Sequence, residues 1–157
     1  MKGKILTVLL ALACVCGLTA CQGKTELAAE YEPADVQAIV DAGAFSEELE
    51  ALDGDTAFAL YKLADCGLNR EDLTDCAVLR SAGATCEEGA VLVFASEGQA
   101  AKAAEGLRSY VDGQIDANKN YRPAEIPKLE GAWIDQQGGT VLLVVANDLD
   151  AAKSAVD

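Results

Sequence analysis

The apolar positions of this chain follow three successive patterns. Residues 5–18 form one apolar run, preceded by Lys4 and followed by small residues. Between residues 33 and 75, apolar side chains recur mostly at the three- and four-residue spacing of helices, with only a weak pattern at 46–52, and Pro33 suits a first helical position. From residue 76 onward the spacing becomes that of strands. The chain is therefore predicted to have a leader, a short helical region and a sheet-forming region.

The sheet-forming region alternates strands with helices. The predicted strands cover residues 77–80, 90–95, 129–136 and 140–145, and the second is apolar on both faces, as expected of a central strand. Ser96 caps a long helix with one apolar stripe, and Asp148 begins a short terminal helix. The order strand-strand-helix-strand-strand-helix predicts an α+β fold, an antiparallel four-stranded sheet preceded by short N-terminal helices. The long helix is expected on one face, and the early helices on the other face or at an edge.

Two glycines interrupt the long predicted helix. Gly106 and Gly113 lie roughly opposite its apolar stripe. Each costs the helix up to about 1 kcal/mol relative to alanine, because glycine loses more backbone entropy on folding. The sequence shows no packing reason for either of them.

The first twenty-one residues have the pattern of an export signal. Lys2 and Lys4 precede the apolar run, which at 14 residues is shorter than the roughly 20 needed to span a bilayer. The run closes on Leu18-Thr19-Ala20-Cys21, which resembles the bacterial lipobox. That resemblance implies a thioether-linked diacylglycerol on Cys21 and cleavage just before it. The alternative is a plain secretory signal with a chance cysteine.

These features divide the chain into a signal peptide at 1–20, a polar tether at 21–32 and a single α+β domain at 33–157. Gln22 follows the cysteine, in place of the aspartate that retains lipoproteins in an inner membrane. Two acyl chains suffice for lasting attachment, because each buried methylene adds about 0.8 kcal/mol. We therefore expect a protein anchored to the cell membrane through Cys21, with its domain on the extracytoplasmic face.

The charge of the chain narrows the expected partners. After removal of residues 1–20, 10 basic residues remain against 26 acidic ones, a formal charge of −16. Such a surface disfavours nucleic acid and anionic lipid headgroups, because both are polyanions. It would suit a cationic partner, although a solvated acidic surface explains it more simply.

The cysteines argue against a metal centre. Cys14 and Cys16 leave with the signal peptide, so Cys66, Cys76 and Cys86 remain, at spacings of ten, and the chain has no histidine. This spacing is unlike that of paired zinc ligands, and we predict no metal and no cofactor. Two states of these cysteines are possible. One is a disulfide between Cys66 and Cys76 or between Cys76 and Cys86, and the other is three small buried thiols.

Few catalytic arrangements are available to the chain. Without histidine, Ser-His-Asp and Cys-His sites are excluded. Ser81 could pair with Lys102 or Lys128, but any serine can be matched to some lysine. Glu87 and Glu88 are neighbours, and adjacent residues on a strand point to opposite faces, which suits a shared acid–base pair poorly. We predict a solvated loop at these two acids, no catalytic residues and no enzymatic activity.

The remaining motifs favour structural roles. The oxygen-rich run 147–150 lacks the alternating spacing of a calcium loop and is better explained by a helix cap. Gly138-Gly139 precedes a strand, which predicts a turn and not a phosphate-binding loop. Tyr121 and Trp133 could form an aromatic recognition patch, although a tryptophan on a strand more often belongs to the core.

Several stretches of the chain resemble a known family. They are LNREDL at 68–73, SAGATCEEGAVLVF at 81–94, YRPAE at 121–125 and the hairpin 133–145. Together they are similar to bacterial lipoproteins of the domain-of-unknown-function 4358 family, over most of residues 32–148. The resemblance implies a small membrane-anchored domain of low-GC Gram-positive bacteria and brings no catalytic residues to assign. Gly89 departs from the isoleucine that is common at its position in the family.

The function expected from these features is binding or scaffolding at the bacterial cell envelope, with a protein or an envelope polymer as partner. One alternative is an accessory component of an assembly that modifies an envelope polymer, which a broad exposed apolar patch would favour. The other is a carboxylate-based hydrolase, which a cluster of perturbed acids in one deep cleft would favour.

Overall fold

The computed structural model describes residues 30–156, so the predicted signal peptide and Cys21 lie outside the described residues. Its helices are α1 (Pro33–Asp41), α2 (Gly54–Leu60), α3 (Glu97–Asn118), α4 (Ile126–Glu130) and α5 (Leu149–Ala155). Its strands are β1 (Glu50–Leu52), β2 (Leu73–Arg80), β3 (Glu88–Phe94), β4 (Trp133–Gln137) and β5 (Thr140–Val145). None of the helices in this part of the chain is long and apolar enough to cross a membrane.

The α+β class and the antiparallel sheet are confirmed, but the sheet has five strands rather than four, in the order β1-β2-β3-β5-β4. The additional strand, β1, lies at the edge and pairs Glu50 with Arg80 and Leu52 with Val78. With three residues it is too short to show the alternation by which a strand is recognised in a sequence. β3 occupies the centre, in keeping with its apolar sequence.

Two predicted strand starts are wrong. β2 begins at Leu73, four residues before the predicted start at 77, and pairs there with Phe94 of β3. Leu129 begins the third predicted strand, but in the structure it is buried within α4, and β4 begins only at Trp133. Pro127 lies in the first turn of α4, where proline's fixed φ favours a helix and its missing N–H costs nothing. The strand is therefore shorter than its apolar pattern suggests.

Helices cover both faces of the sheet. α2, α3 and α4 pack on one face, around a core that includes Tyr61, Leu92 and Leu107. α1 and α5 pack on the other face, against Val91 and Leu142. Successive residues of β3 thus alternate between two cores, as the period of a strand requires. The two early helices are divided between the faces, α2 sharing the face of the long helix.

The two ends of the sheet have different roles. At one end of the sheet, the residues that precede α1 pack against the turn between β4 and β5. Glu30 accepts a hydrogen bond from the Gly139 N–H (2.8 Å), and the Tyr31 N–H donates to Thr140 Oγ1 (2.9 Å). Gly138, with a φ of 53°, makes the predicted turn between β4 and β5 there. At the opposite end, the loop 81–87 connects β2 to β3. The last residues of the predicted tether therefore pack against the domain.

Candidate functional site

Glu87 and Glu88 are buried, so the solvated loop predicted for them is wrong. Glu87 is 0% exposed, and Glu88, the first residue of β3, is 3% exposed. Glu88 lies on the α3 side of the sheet, where it contacts Tyr110, and Glu87, the residue before β3, lies on the α1 side, where it contacts Ser46. Because a buried carboxylate is costly unless it is hydrogen-bonded and paired, each side of the sheet must supply donors.

Glu88 is held by donors from three different elements. The hydroxyl of Tyr61, just after α2, donates to Oε1 (2.5 Å), and the hydroxyl of Tyr110, on α3, donates to Oε2 (2.8 Å). Arg80, at the end of β2, places its Nε 3.5 Å from Oε2. The two tyrosine rings meet edge to face, with centroids 5.1 Å apart. The carboxylate thus ties α2, α3 and β2 to the start of β3.

Burial controls the protonation of this cluster. Desolvation raises the pKa of Glu88, and the hydrogen bonds from the tyrosines and the charge of Arg80 oppose that rise only in part. Burial and the neighbouring carboxylate raise the pKa of Tyr61 and of Tyr110, so both hydroxyls remain donors at neutral pH. The arrangement is a set of donors converging on one acid, and not two acids that share a proton.

A cavity of about 580 Å³ lies beside these tyrosines, between the end of α2, the 3-10 helix Leu63–Cys66 and the middle of α3. Ligand pockets in proteins usually measure about 300–1,000 Å³. Its lining combines two aromatic, two glycine, two apolar and four polar or charged residues: Tyr61, Tyr110, Gly106, Gly113, Leu60, Cys66, Lys62, Asp65, Ser109 and Gln114. The cavity therefore has the size and the mixed chemistry of a binding site.

The structure supplies a packing reason for Gly106 but none for Gly113. A Cβ on Gly106 would lie 2.6 Å from the Sγ of Cys66, so this glycine lets the 3-10 helix approach α3 closely. A Cβ on Gly113 would meet no atom within 4 Å, because the residue borders the cavity. Gly106, Tyr110 and Gly113 follow the i, i+4, i+7 spacing of one helix face. That spacing is the signal in the sequence that could have indicated the cavity.

The three cysteines of the domain have separate surroundings and form no disulfide within residues 30–156. Cys66 lines the cavity, Cys76 lies on β2 and Cys86 precedes Glu87. Burial raises the pKa of all three thiols, although at Cys86 the charge of Arg122 opposes the rise. A raised pKa leaves little thiolate at neutral pH and makes a poor nucleophile. The described part of the chain contains no group of three or more histidine, cysteine or acidic residues that could hold a metal ion.

On the other face, Glu87 organises a second polar cluster. Its carboxylate accepts hydrogen bonds from the N–H and the hydroxyl of Ser46 and from the Nζ of Lys128, each at 2.7 Å. Lys128 also contacts Glu125 at 3.2 Å. Burial lowers the pKa of Lys128, but the hydrogen bonds to its two carboxylate partners outweigh burial and raise the pKa overall. Lys128 is therefore charged, and the pair joins α4 to the segment after α1.

Two of the stretches that resemble the family meet beside this cluster. Arg122 donates a hydrogen bond to the carbonyl of Thr85 (3.0 Å). The Cys86 N–H donates to the carboxylate of Glu125 (2.9 Å). The loop before β3 and the segment before α4 are thus fastened to each other.

Ser81 does not form a serine–lysine pair. Its hydroxyl oxygen accepts hydrogen bonds from the N–H groups of Gly83 (3.1 Å) and Thr85 (3.0 Å), within its own loop. Lys128, one of its two candidate partners, binds Glu87 instead. The serine shapes the turn between β2 and β3, in the manner common for a serine near a turn.

The remaining candidates also have structural roles. Asp148 caps α5, as predicted, by accepting a hydrogen bond from the Ala151 N–H (2.9 Å). Trp133 packs edge to face against Tyr31, at 6.3 Å between ring centroids, in the core on the α1 side. Tyr121 is 84% exposed. The two aromatic residues of the suggested recognition patch therefore belong to different environments.

These features define a small α+β domain, built on an antiparallel sheet, with two buried carboxylate clusters at one end and a cavity beside one of them. The chain belongs to the family described as Domain of unknown function (DUF4358), which matches residues 51–146. The match runs from β1 to just beyond β5, so it includes both buried acids and both tyrosines of the cavity. Searches of curated proteins and of solved structures find no match.

Proposed function

We propose that this protein is a lipid-anchored domain on the extracytoplasmic face of the bacterial cell membrane, where it binds or scaffolds a partner without chemistry of its own. The cavity beside Tyr61 and Tyr110 is the observation that supports binding. Behind its wall, Glu88 already accepts hydrogen bonds from both tyrosines, forms an ion pair with Arg80 and is shielded from a ligand. A carboxylate in that position cannot contact a proton of a substrate. Its role is therefore to orient the tyrosines that form the wall of the binding site.

The two buried acids count against hydrolysis. Hydrolysis by two carboxylates needs both groups at one bond, roughly 5–10 Å apart for a glycoside and about 3 Å apart in an aspartic-protease pair. Glu87 and Glu88 point to opposite faces of the sheet and bind different partners. A carboxylate-based hydrolase is therefore the weaker candidate. Turnover of an ester, peptide or glycoside substrate that is abolished by Glu88→Gln would reverse this ranking.

The proposed anchor fits the end of the sheet at which the chain joins the domain. Nine residue steps separate Cys21 from Glu30, and an extended chain of that length spans at most about 32 Å. Glu30 and Tyr31 are held at the turn between β4 and β5, whereas the buried acids lie at the opposite end of the strands. An anchored domain would direct its turn end toward the membrane and its Glu87–Glu88 end toward the envelope.

Fatty-acid labelling tests the anchor. We expect the wild type to incorporate labelled palmitate and Cys21→Ser to accumulate as an unlabelled, uncleaved precursor, because the thioether requires the cysteine sulfur. Cys66→Ser is the matched control and should be labelled like the wild type. Equal labelling of the wild type and of Cys21→Ser would contradict the proposal.

Photo-crosslinking in intact cells tests the binding role. A photoreactive amino acid at Gly113, on the rim of the cavity, should form light-dependent adducts with an envelope partner. The same amino acid at Ser154, an exposed position of α5 on the opposite face, is the control. Adducts at neither position, or equal adducts at both, would count against a partner bound at the cavity.

A further inference from the structure

We propose that the cavity beside Tyr61 and Tyr110 binds an uncharged sugar ring, a pyranose unit of an envelope polymer. That the sugar belongs to an envelope polymer rests on the proposed function. That the ligand is an uncharged sugar rests on the cavity itself. Three features carry the assignment: an aromatic side chain beside a bare helix surface, the absence of a net charge in the cavity lining, and polar groups that both donate and accept.

The wall of the cavity suits a flat ligand. Tyr61 is 1% exposed and backs the wall, whereas Tyr110 is partly exposed and is the aromatic ring that a ligand can reach. On the same face of α3, the exposed Gly113 presents backbone in place of a side chain, whereas Cys66 covers Gly106. A ring can therefore lie in van der Waals contact with the helix. The C–H groups on one face of a pyranose complement the electron-rich face of an aromatic ring.

The charges at the cavity select against an ionic ligand. Lys62 and Asp65 contribute one charge of each sign to the lining, and behind the wall Arg80 offsets Glu88. An anionic ligand would in addition meet the field of a mature chain with a formal charge of −16. A neutral sugar thus fits better than a sugar acid or a phosphate.

The rim offers the hydrogen bonds that hydroxyl groups need. The Ser109 hydroxyl donates to the carbonyl of Glu105 (3.1 Å), so its oxygen can still accept from a ligand. Gln114 receives a hydrogen bond from Asn118 through its backbone carbonyl (2.8 Å), and its side-chain amide can offer both donors and an acceptor. Because sugar hydroxyls donate and accept, such a rim can satisfy them in either sense.

The cluster around Glu88 fixes this wall before a ligand arrives. Both tyrosine hydroxyls donate to the same buried carboxylate, so neither ring can turn away without breaking a hydrogen bond to a charge. A wall that is ordered in advance lowers the entropy cost of binding. Glu88 is accordingly a positioning residue, which acts on the ligand through Tyr110.

The test is a titration of the protein as purified from its own membranes, in a detergent without a sugar headgroup. Two neutral probes, the trimers of N-acetylglucosamine and of glucose, are compared with the cationic glucosamine trimer and the anionic galacturonic acid trimer. Isothermal titration calorimetry should give a Kd below about 1 mM for at least one neutral trimer, and a Kd at least about tenfold higher for the charged ones. No binding of either neutral trimer up to about 10 mM, or preference for a charged trimer, would overturn the assignment.

Two tryptophan substitutions locate the binding. Gly113→Trp should fill the cavity and raise the Kd of the neutral trimer at least about tenfold. Gly98→Trp is the matched control: it lies on the same helix, a Cβ there also meets no atom within 4 Å, and it is outside the cavity lining, so the Kd should stay within about twofold. If circular dichroism shows that Gly113→Trp is unfolded, Gln114→Ala replaces it and should weaken binding about threefold or more.

Unchanged binding in the cavity variant would place the sugar elsewhere and overturn the proposal. The titration uses purified protein, whereas the proposed function is tested by fatty-acid labelling and crosslinking in cells. Failure of the sugar assignment therefore leaves the anchor and the partner to their own experiments, and failure of the anchor leaves the titration interpretable.

Discussion

Replacing Glu87 by glutamine should destabilise the domain, although the substitution changes the size of the side chain very little. Glutamine keeps one acceptor oxygen, enough for the Ser46 N–H, but its NH2 group then replaces the oxygen that accepts from the Ser46 hydroxyl and from Lys128. The substitution also removes the negative charge that lies 2.7 Å from the ammonium of Lys128. Glu87 is 0% exposed, so water cannot take over the lost interaction at this position. The solvated loop expected from the sequence predicts the opposite, no effect on folding.

The magnitude follows from the partners that remain. Removing one member of a buried ion pair costs about 3–5 kcal/mol, and a hydrogen bond to a charged group contributes about 1.5–3 kcal/mol. Lys128 retains Glu125 and has 18% of its side chain exposed, so part of the loss is recovered. We therefore expect the free energy of unfolding to fall by about 2–3 kcal/mol. That corresponds to a decrease in Tm of roughly 6–12 °C for a domain of this size.

Urea unfolding, followed by the fluorescence of Trp133, measures this change. Glu48→Gln makes the same chemical change at an exposed residue nearby and should stay within about 0.5 kcal/mol of the wild type. Adding Lys128→Met to Glu87→Gln should recover part of the loss, because no ammonium is left without its buried partner. Equal unfolding midpoints for Glu87→Gln and Glu48→Gln would refute the role assigned to the buried pair.

The α3 side of the sheet and the thiols lead to three more predictions. Burial raises the pKa of Glu88 in the folded state, so its contribution to stability is full below its ordinary pKa of 4.5 and is lost as the pH rises through the folded pKa. Above that pH, the free energy of unfolding of Glu88→Gln should therefore fall less steeply with rising pH than that of the wild type. Urea titrations at several pH values measure this, and equal slopes for the two proteins would contradict the burial argument. Gly113→Ala should raise the free energy of unfolding by about 0.5–1 kcal/mol, whereas Gly106→Ala should lower it by about 1–2 kcal/mol because of its 2.6 Å approach to the Sγ of Cys66. Cys66→Ala should restore the stability of Gly106→Ala, and effects of the same sign at the two glycines would show that the close approach is not the cause. Elemental analysis of the purified protein should find only substoichiometric zinc, and a full equivalent that is lost in Cys76→Ser would overturn the prediction of no metal site.

The class of the fold could be predicted because it depends on neighbouring residues. The apolar run of β3, the stripe along α3 and the cap at Asp148 are all local patterns, and the structure contains each of them. β1 could not be predicted in this way. Three residues carry no periodicity, and what makes them a strand is pairing with β2, whose Arg80 lies opposite Glu50.

The candidate site was decided by contacts between distant parts of the chain. Tyr61 and Tyr110 lie 27 and 22 residues from Glu88, and Lys128 lies 41 residues from Glu87. Two adjacent acids in a sequence indicate an exposed loop, because a buried carboxylate without partners is unstable. Only the fold brings in the donors that make burial possible on both faces of the sheet.

The cavity has the same origin. By helix propensity alone, Gly106 and Gly113 are equivalent interruptions of α3. The structure distinguishes them, because the 3-10 helix Leu63–Cys66 packs against the first and leaves the space beside the second open. The sequence by itself could indicate that one face of the helix is bare. What lies against that face is determined by the position of a segment forty residues earlier in the chain, which only tertiary packing sets.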